Sequence, residues 1–136
     1  MTSPAAFAST AEQLEGTPFR LHGRDPLTGI DCVGLVALAM GRPTLAPEGY
    51  GLRNSAIAHL LPALAQAGFQ PVLPHEDRRR GDLLLAVPGP AQHHLAILLG
   101  AGRFIHAHAG LRRTVIQPGP LPWPVTARWR LPDNKD

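Results

Sequence analysis

Gly29-Ile30-Asp31-Cys32-Val33-Gly34-Leu35-Val36-Ala37-Leu38-Ala39-Met40 is the stretch from which the rest of the chain is best read. After Asp31 the residues turn small and apolar, and Gly41 and Pro43 close the run, which predicts a buried helix over 32–40. Asp31 is placed to be its N-cap, with Cys32 as the first helical residue. The free N–H groups and dipole of a first helical turn stabilise a thiolate and can donate to an oxyanion forming on a substrate carbonyl. On that basis the Cys32 thiol is expected to titrate well below its free value of about 8.5. A lone cysteine opening an apolar helix also reads as a small buried hydrophobe, so its surroundings must decide.

Upstream, Ser3 or Pro4 can start a helix that runs to Leu14, with Gly16 as its stop. The Gly-, Pro- and charge-rich residues from Thr17 to Asp31 form a loop of about 15 residues, a length uncommon unless functional. Downstream, a second helical pattern covers 54–67 but contains Pro62, so a kink or a later start is expected. After Phe69 come short apolar runs at 82–87, 94–99, 103–108, 114–117 and 127–131, which read as strands, and Gly100-Ala101-Gly102 marks a hairpin turn. Helices first and antiparallel strands after predict an α+β fold, one sheet with helices packed on a face, in a single domain spanning 1–136.

Strand alternation supplies the partners of Cys32. His94, Ala96 and Leu98 share one face of their strand, while Leu95, Ile97 and Leu99 fill the core. Folding back at the 100–102 turn brings His106 and His108 alongside, on the face that carries His94. Such a cluster reads three ways: coincidental polar residues, a zinc site completed by Cys32, or a base with an orienting partner. Zinc lacks the short paired-ligand motifs that make such an assignment specific. In the third reading His94 takes the thiol proton and His106 holds the other ring nitrogen.

Composition limits the alternatives. With 136 residues, 44% of them hydrophobic, the chain can bury a core, and 14 Gly with 15 Pro argue against a long-helix bundle. The net charge of +3 includes the run Arg78-Arg79-Arg80, but aromatics make up only 5% and do not interleave with the basic residues, so nucleic-acid binding is not expected. One cysteine cannot form an internal disulfide, no run is long enough to span a bilayer, and residues 1–16 lack a signal-peptide pattern. Synthesis in the cytoplasm without a signal peptide is the expectation, with another vehicle needed for work outside the cell.

Gly16-Thr17-Pro18-Phe19-Arg20-Leu21-His22-Gly23, followed by Gly29-Ile30-Asp31-Cys32-Val33-Gly34-Leu35-Val36, resembles the nucleophile segment of the NlpC/P60 cell-wall peptidases. That family's pattern runs Gly-Thr-Pro-Tyr, a Gly, then Asp-Cys-Ser-Gly-Leu-Val. Arg80-Gly81-Asp82-Leu83 is similar to its Gly-Asp-Leu strand entry, and the run from His94 to Gly100 to its His-Val-Gly-Ile-Tyr-Leu-Gly. The segment Phe104-Ile105-His106-Ala107 falls where the family has its third, polar triad residue.

The resemblance implies a papain-like fold with a Cys32-His94-His106 triad, hydrolysing amide bonds in peptidoglycan stem peptides without a metal or cofactor. It also places Asp31, Phe19 and Val33 as substrate-binding positions, two of them altered: Phe19 stands for the family's Tyr and Val33 for its Ser. The only tyrosine, Tyr50, is expected in a loop. With the variant Asp-Cys-Val-Gly, the chain looks most like the peptidases of phage tails and gene-transfer particles, which implies phage-tail or baseplate-like proteins as partners and carriage in a particle. A structural tail-tip protein of the same fold with little activity is the alternative.

Overall fold

The computed structural model describes residues 2–42, 54–90 and 92–133, and Tyr50 lies outside them. Helix α1 (Pro4–Gln13) starts as expected, with the Ser3 side chain accepting the Ala6 N–H at 3.2 Å and Pro4 in the first turn. Its stripe of Phe7, Ala8 and Ala11 is buried. Two short strands, β1 (Arg24–Asp25) and β2 (Gly29–Ile30), form a hairpin inside the expected loop. Helix α2 (Cys32–Ala39) is apolar all round and buried on nearly all sides, so it lies at the centre of the fold. Helix α3 (Asn54–Gln66) starts at Asn54 and contains Pro62. There Leu60 and Leu64 face the core while Pro62 is exposed, so the bond that proline removes is on the wet side.

Among the described residues six further strands make one antiparallel sheet: β3 (Gln70–Pro71), β4 (Leu83–Ala86), β5 (His94–Gly100), β6 (Arg103–His108), β7 (Arg113–Pro118) and β8 (Val125–Arg130), ordered β3-β8-β4-β5-β6-β7. The α+β arrangement is the expected one. One face, with Leu83, Leu85, Leu95, Ile97 and Ile105, packs on Phe7, Leu35, Val36 and Leu64 of the helices. The other, with Leu84, Ala86, Ala96 and Phe104, is covered by Leu121 and Trp123. Strand β4 is buried on both faces, which explains its uninterrupted Leu83-Leu84-Leu85-Ala86. Among the described residues no helix is long and apolar enough to cross a membrane.

Two devices fix the region around Cys32. A Cβ at Gly34 would lie 2.2 Å from the Gly23 carbonyl oxygen, so only glycine in α2 lets the preceding loop close over the helix start. That loop is also stitched to β7 and β2: Gly16 N–H donates to Thr114 O, Phe19 N–H to Arg112 O and Ile30 N–H to Pro18 O. Farther away, the fully buried Asp82 accepts from Arg130 Nε at 2.7 Å, Arg128 Nη1 at 3.3 Å and the Arg79 N–H at 3.0 Å. Arg128 also donates from Nη1 to the carbonyl of Asp77 and from Nη2 to those of Leu73 and Glu76, so this buried charge pair anchors the chain entering β4.

Candidate active site

Asp31 caps α2: its Oδ1 accepts the Gly34 N–H at 2.8 Å and an Arg24 Nη1–H at 3.2 Å, and its Oδ2 accepts the His22 N–H at 2.8 Å. Both oxygens of this carboxylate are engaged by the protein and Asp31 is 6% exposed, so it shapes the helix start rather than facing a substrate. Val33 is 1% exposed and lies in the core, and Phe19 is half-buried against it. The geometry therefore makes Asp31 and Val33 supports of the segment around Cys32, a departure from the substrate-facing placement expected of them.

Cys32 is only 3% exposed. The backbone N–H groups of Leu95, Cys32 and Val33 lie near the sulfur and favour the thiolate, as a helix start should. Burial and the neighbouring Asp31 charge outweigh them and push the thiol up to about 12. The expectation of a depressed thiol is thus corrected: a helix N-terminus offers little to a thiolate that has lost its water and stands beside a carboxylate. The Leu95 contact sets the sulfur against the peptide unit that links His94 to Leu95 in β5.

The sheet brings His94 and His106 together. Leu98 lies opposite Phe104 and Ile97 opposite Ile105, so even-numbered residues of β5 and β6 share the face away from the helices. There His94 Nε2 meets His106 Nδ1 at 2.7 Å. Among the described residues no hydrogen bond joins the His94 ring to the Cys32 sulfur. His108 stands apart from the pair's bond, its ring centroid 5.4 Å from that of His106, and its Nδ1 accepts the Leu111 N–H at 3.0 Å in the β6–β7 turn.

Two partners were not picked out from the sequence. Gln117 of β7 turns its amide oxygen onto His106 Nε2. Trp123 stacks edge-on against both rings, its centroid 5.4 Å from His94 and 5.5 Å from His106. Pro88, His94, His106, His108 and Trp123 border an open hollow of about 210 Å³. A larger hollow, about 370 Å³, lies by the 100–102 turn among Phe104, Leu121, Arg79 and Arg103, with neither thiol nor histidine on its wall. Among the described residues no three His, Cys, Asp or Glu side chains are placed to hold a metal ion, since His94 Nε2 and His106 Nδ1 are turned on each other.

Burial, with His106 and His108 close by, pushes the His94 imidazole down to about 3, and burial lowers His106 as well. Both rings are neutral in the folded protein at neutral pH. An unfolded chain binds a proton at His94 below pH 6.5 while the folded one does not, so stability should be full above pH 6.5 and fall as pH drops toward 3. The expected slope from His94 is about 1.4 kcal/mol per pH unit. Urea midpoints at pH 7, 6, 5 and 4.5, a window in which most carboxylates stay ionised, check this. A His94→Gln variant should lose its share of the slope, and equal slopes in the two proteins would contradict the assignment.

Comparison with known proteins identifies the family and the fold. The NlpC/P60 family model matches residues 16–120. NlpC2 from Trichomonas vaginalis aligns with a TM-score of 0.67 at 19% identity, over 96% of this chain and 47% of that one, so the chain spans less than half of that protein. The NlpC/p60 domain of the peptidoglycan hydrolase SagA aligns at 0.58 and 26% identity, over 86% and 90% of the two chains. RipD from Mycobacterium tuberculosis, described as a non-catalytic NlpC/p60 domain protein adapted to peptidoglycan binding, aligns at 0.59 and 19%, over 96% and 98%. No curated protein sequence matches. With three-quarters of its length covered by the family model, and with the fold of its solved members, the chain belongs to the NlpC/P60 family.

Proposed function

We propose that this chain is a cysteine endopeptidase that hydrolyses amide bonds in peptidoglycan stem peptides, with Cys32 as nucleophile, His94 as general base and His106 as its orienting partner. The observation that carries the reading is the pairing of His94 Nε2 with His106 Nδ1 on the strand whose Leu95 shares the buried cluster of Cys32, its N–H near the sulfur. Nε2 is occupied, so Nδ1 is the nitrogen left to serve the thiol. The resting state is a neutral thiol and a neutral imidazole, because burial disfavours both charges. As the sulfur bonds to the scissile carbonyl carbon, its proton passes to His94 Nδ1. N–H groups of the first turn of α2 receive the developing oxyanion. Collapse of the intermediate breaks the C–N bond, and His94 gives the proton to the departing amine. Water, deprotonated by the same ring, then cleaves the thioester.

The substrate class rests on family membership and on the likeness to the SagA domain. The variant Asp31-Cys32-Val33-Gly34 supports the finer reading, a phage-tail or gene-transfer-particle component that travels in a particle beside baseplate-like proteins. Tail and baseplate genes flanking the coding sequence, and the protein's presence in purified particles, are its test. A second reading, a peptidoglycan-binding or tail-tip protein with little activity, is favoured by the buried thiol and by Phe19 and Val33.

Incubation with purified sacculi separates the two. The peptidase should release soluble stem-peptide fragments whose masses identify the broken amide bond. Sacculi that retain the protein on pelleting but release nothing would establish the second reading.

A further inference from the structure

We propose that Gln117 is a positioning residue that fixes the proton arrangement of the His106–His94 pair and so keeps His94 Nδ1 free to accept a proton. Its effect on rate rests on the peptidase reading; the hydrogen-bond chain does not.

Gln117 lies opposite Phe104 in the β6–β7 register, and His106 lies opposite Val115. Gln117 is therefore the diagonal neighbour of His106 on the same face, within reach of a long side chain. Its amide oxygen faces His106 Nε2. An amide oxygen only accepts, so Nε2 must carry the hydrogen. A neutral imidazole has one N–H, which leaves His106 Nδ1 with a bare lone pair. Burial outweighs the Gln117 bond, which by itself favours the charged ring, and together with His108 keeps His106 neutral. Its Nδ1 can then only accept, and the group 2.7 Å away, His94 Nε2, must donate. His94 is neutral for the same reason, so its own N–H is used at Nε2 and Nδ1 stands unprotonated.

The direction of the chain is set at its far end. His94, His106 and His108 can each be donor or acceptor, and Trp123 offers the two rings its edge-on face. Among the described side chains hydrogen-bonded to the pair, Gln117 alone brings an oxygen that cannot donate. Without it both tautomers of His106 are open. One of them donates from Nδ1 to His94 Nε2 and moves the His94 hydrogen to Nδ1, where it blocks the base.

The test combines nitrogen NMR of histidine-labelled protein with kinetics on a soluble stem peptide, for wild type, Gln117→Leu and Gln117→Glu. Wild type should show the Nε2–H tautomer for both His94 and His106. Gln117→Leu should show mixed tautomers at both rings, with kcat lower by about 10- to 100-fold and KM little changed. Gln117→Glu restores an accepting oxygen, so it should recover the Nε2–H tautomer and more of kcat than the leucine variant. Should Gln117→Leu fail to fold, Gln117→Met replaces it. Wild-type tautomers in the leucine or methionine variant would overturn the proposal, as would scrambled tautomers with unaltered kcat. If the wild-type protein cleaves no stem peptide, the peptidase reading fails by itself and the tautomers still decide the part played by Gln117.

Discussion

Replacing Cys32 by alanine is expected to reduce fragment release from sacculi to the background of the assay, a loss on the order of 10⁶-fold in kcat when a nucleophile is removed. Cys32 is the only cysteine, so no neighbouring thiol can take its place. The variant should stay folded: alanine is the best helix former, it fits a position that is 3% exposed, and the Asp31 cap on Gly34 is untouched. Equal melting curves with unequal fragment release would assign the loss to chemistry.

The same thiol should be slow to react with small alkylating agents. Held up at about 12, it is almost wholly protonated at neutral pH, so iodoacetamide labelling of the free protein should rise about tenfold per pH unit above pH 7 without reaching a plateau. A plateau near neutrality would mean a preformed thiolate–imidazolium pair and would contradict the neutral resting state. Fragment release by Cys32→Ala at the wild-type rate would remove Cys32 from the chemistry altogether.

Much of the site was legible because its signals are local. Asp31 before an apolar run fixes where α2 starts, and the cap is made by that residue's own carboxylate three positions from the N–H it binds. Alternation within β5 and β6 puts His94 and His106 on one face as soon as the 100–102 turn is recognised. What was not legible depends on elements far apart in sequence. Gln117 reaches His106 only through the β6–β7 register; counting back from the 109–112 turn, even positions of β6 to odd positions of β7, was the one signal that pointed to it. Arg128 meets Asp82 because β8 pairs with β4 across 46 residues. Strands β1, β2 and β3, two residues each, carry no period to detect. The thiol's protonation could not be read from Asp31 and Cys32 alone, since the sheet and the helices together exclude its water.

His106→Ala should lower kcat by about 10² to 10⁴-fold and leave Cys32 and His94 in place, the scale of losing the third member of a triad. The deletion leaves the His94 Nε2–H without its acceptor at 2.7 Å and opens space between Gln117 and Trp123, so the ring that must meet the thiol is free to turn. An orienting partner that is lost misaligns the base without removing it, so activity should fall without vanishing. His106→Asn and His106→Gln can still accept that hydrogen and should keep more activity than His106→Ala. His108→Ala makes the contrast. His108 is half-exposed and bonds the Leu111 N–H, so its loss should cost about 0.5–1.5 kcal/mol of stability and leave kcat near wild type. Fragment release from sacculi, with Cys32→Ala as the blank, ranks the variants. A silent His106→Ala beside a His108→Ala as damaged as the blank would move the third triad position to His108 and require a β5–β6 register other than the one that sets Leu98 opposite Phe104.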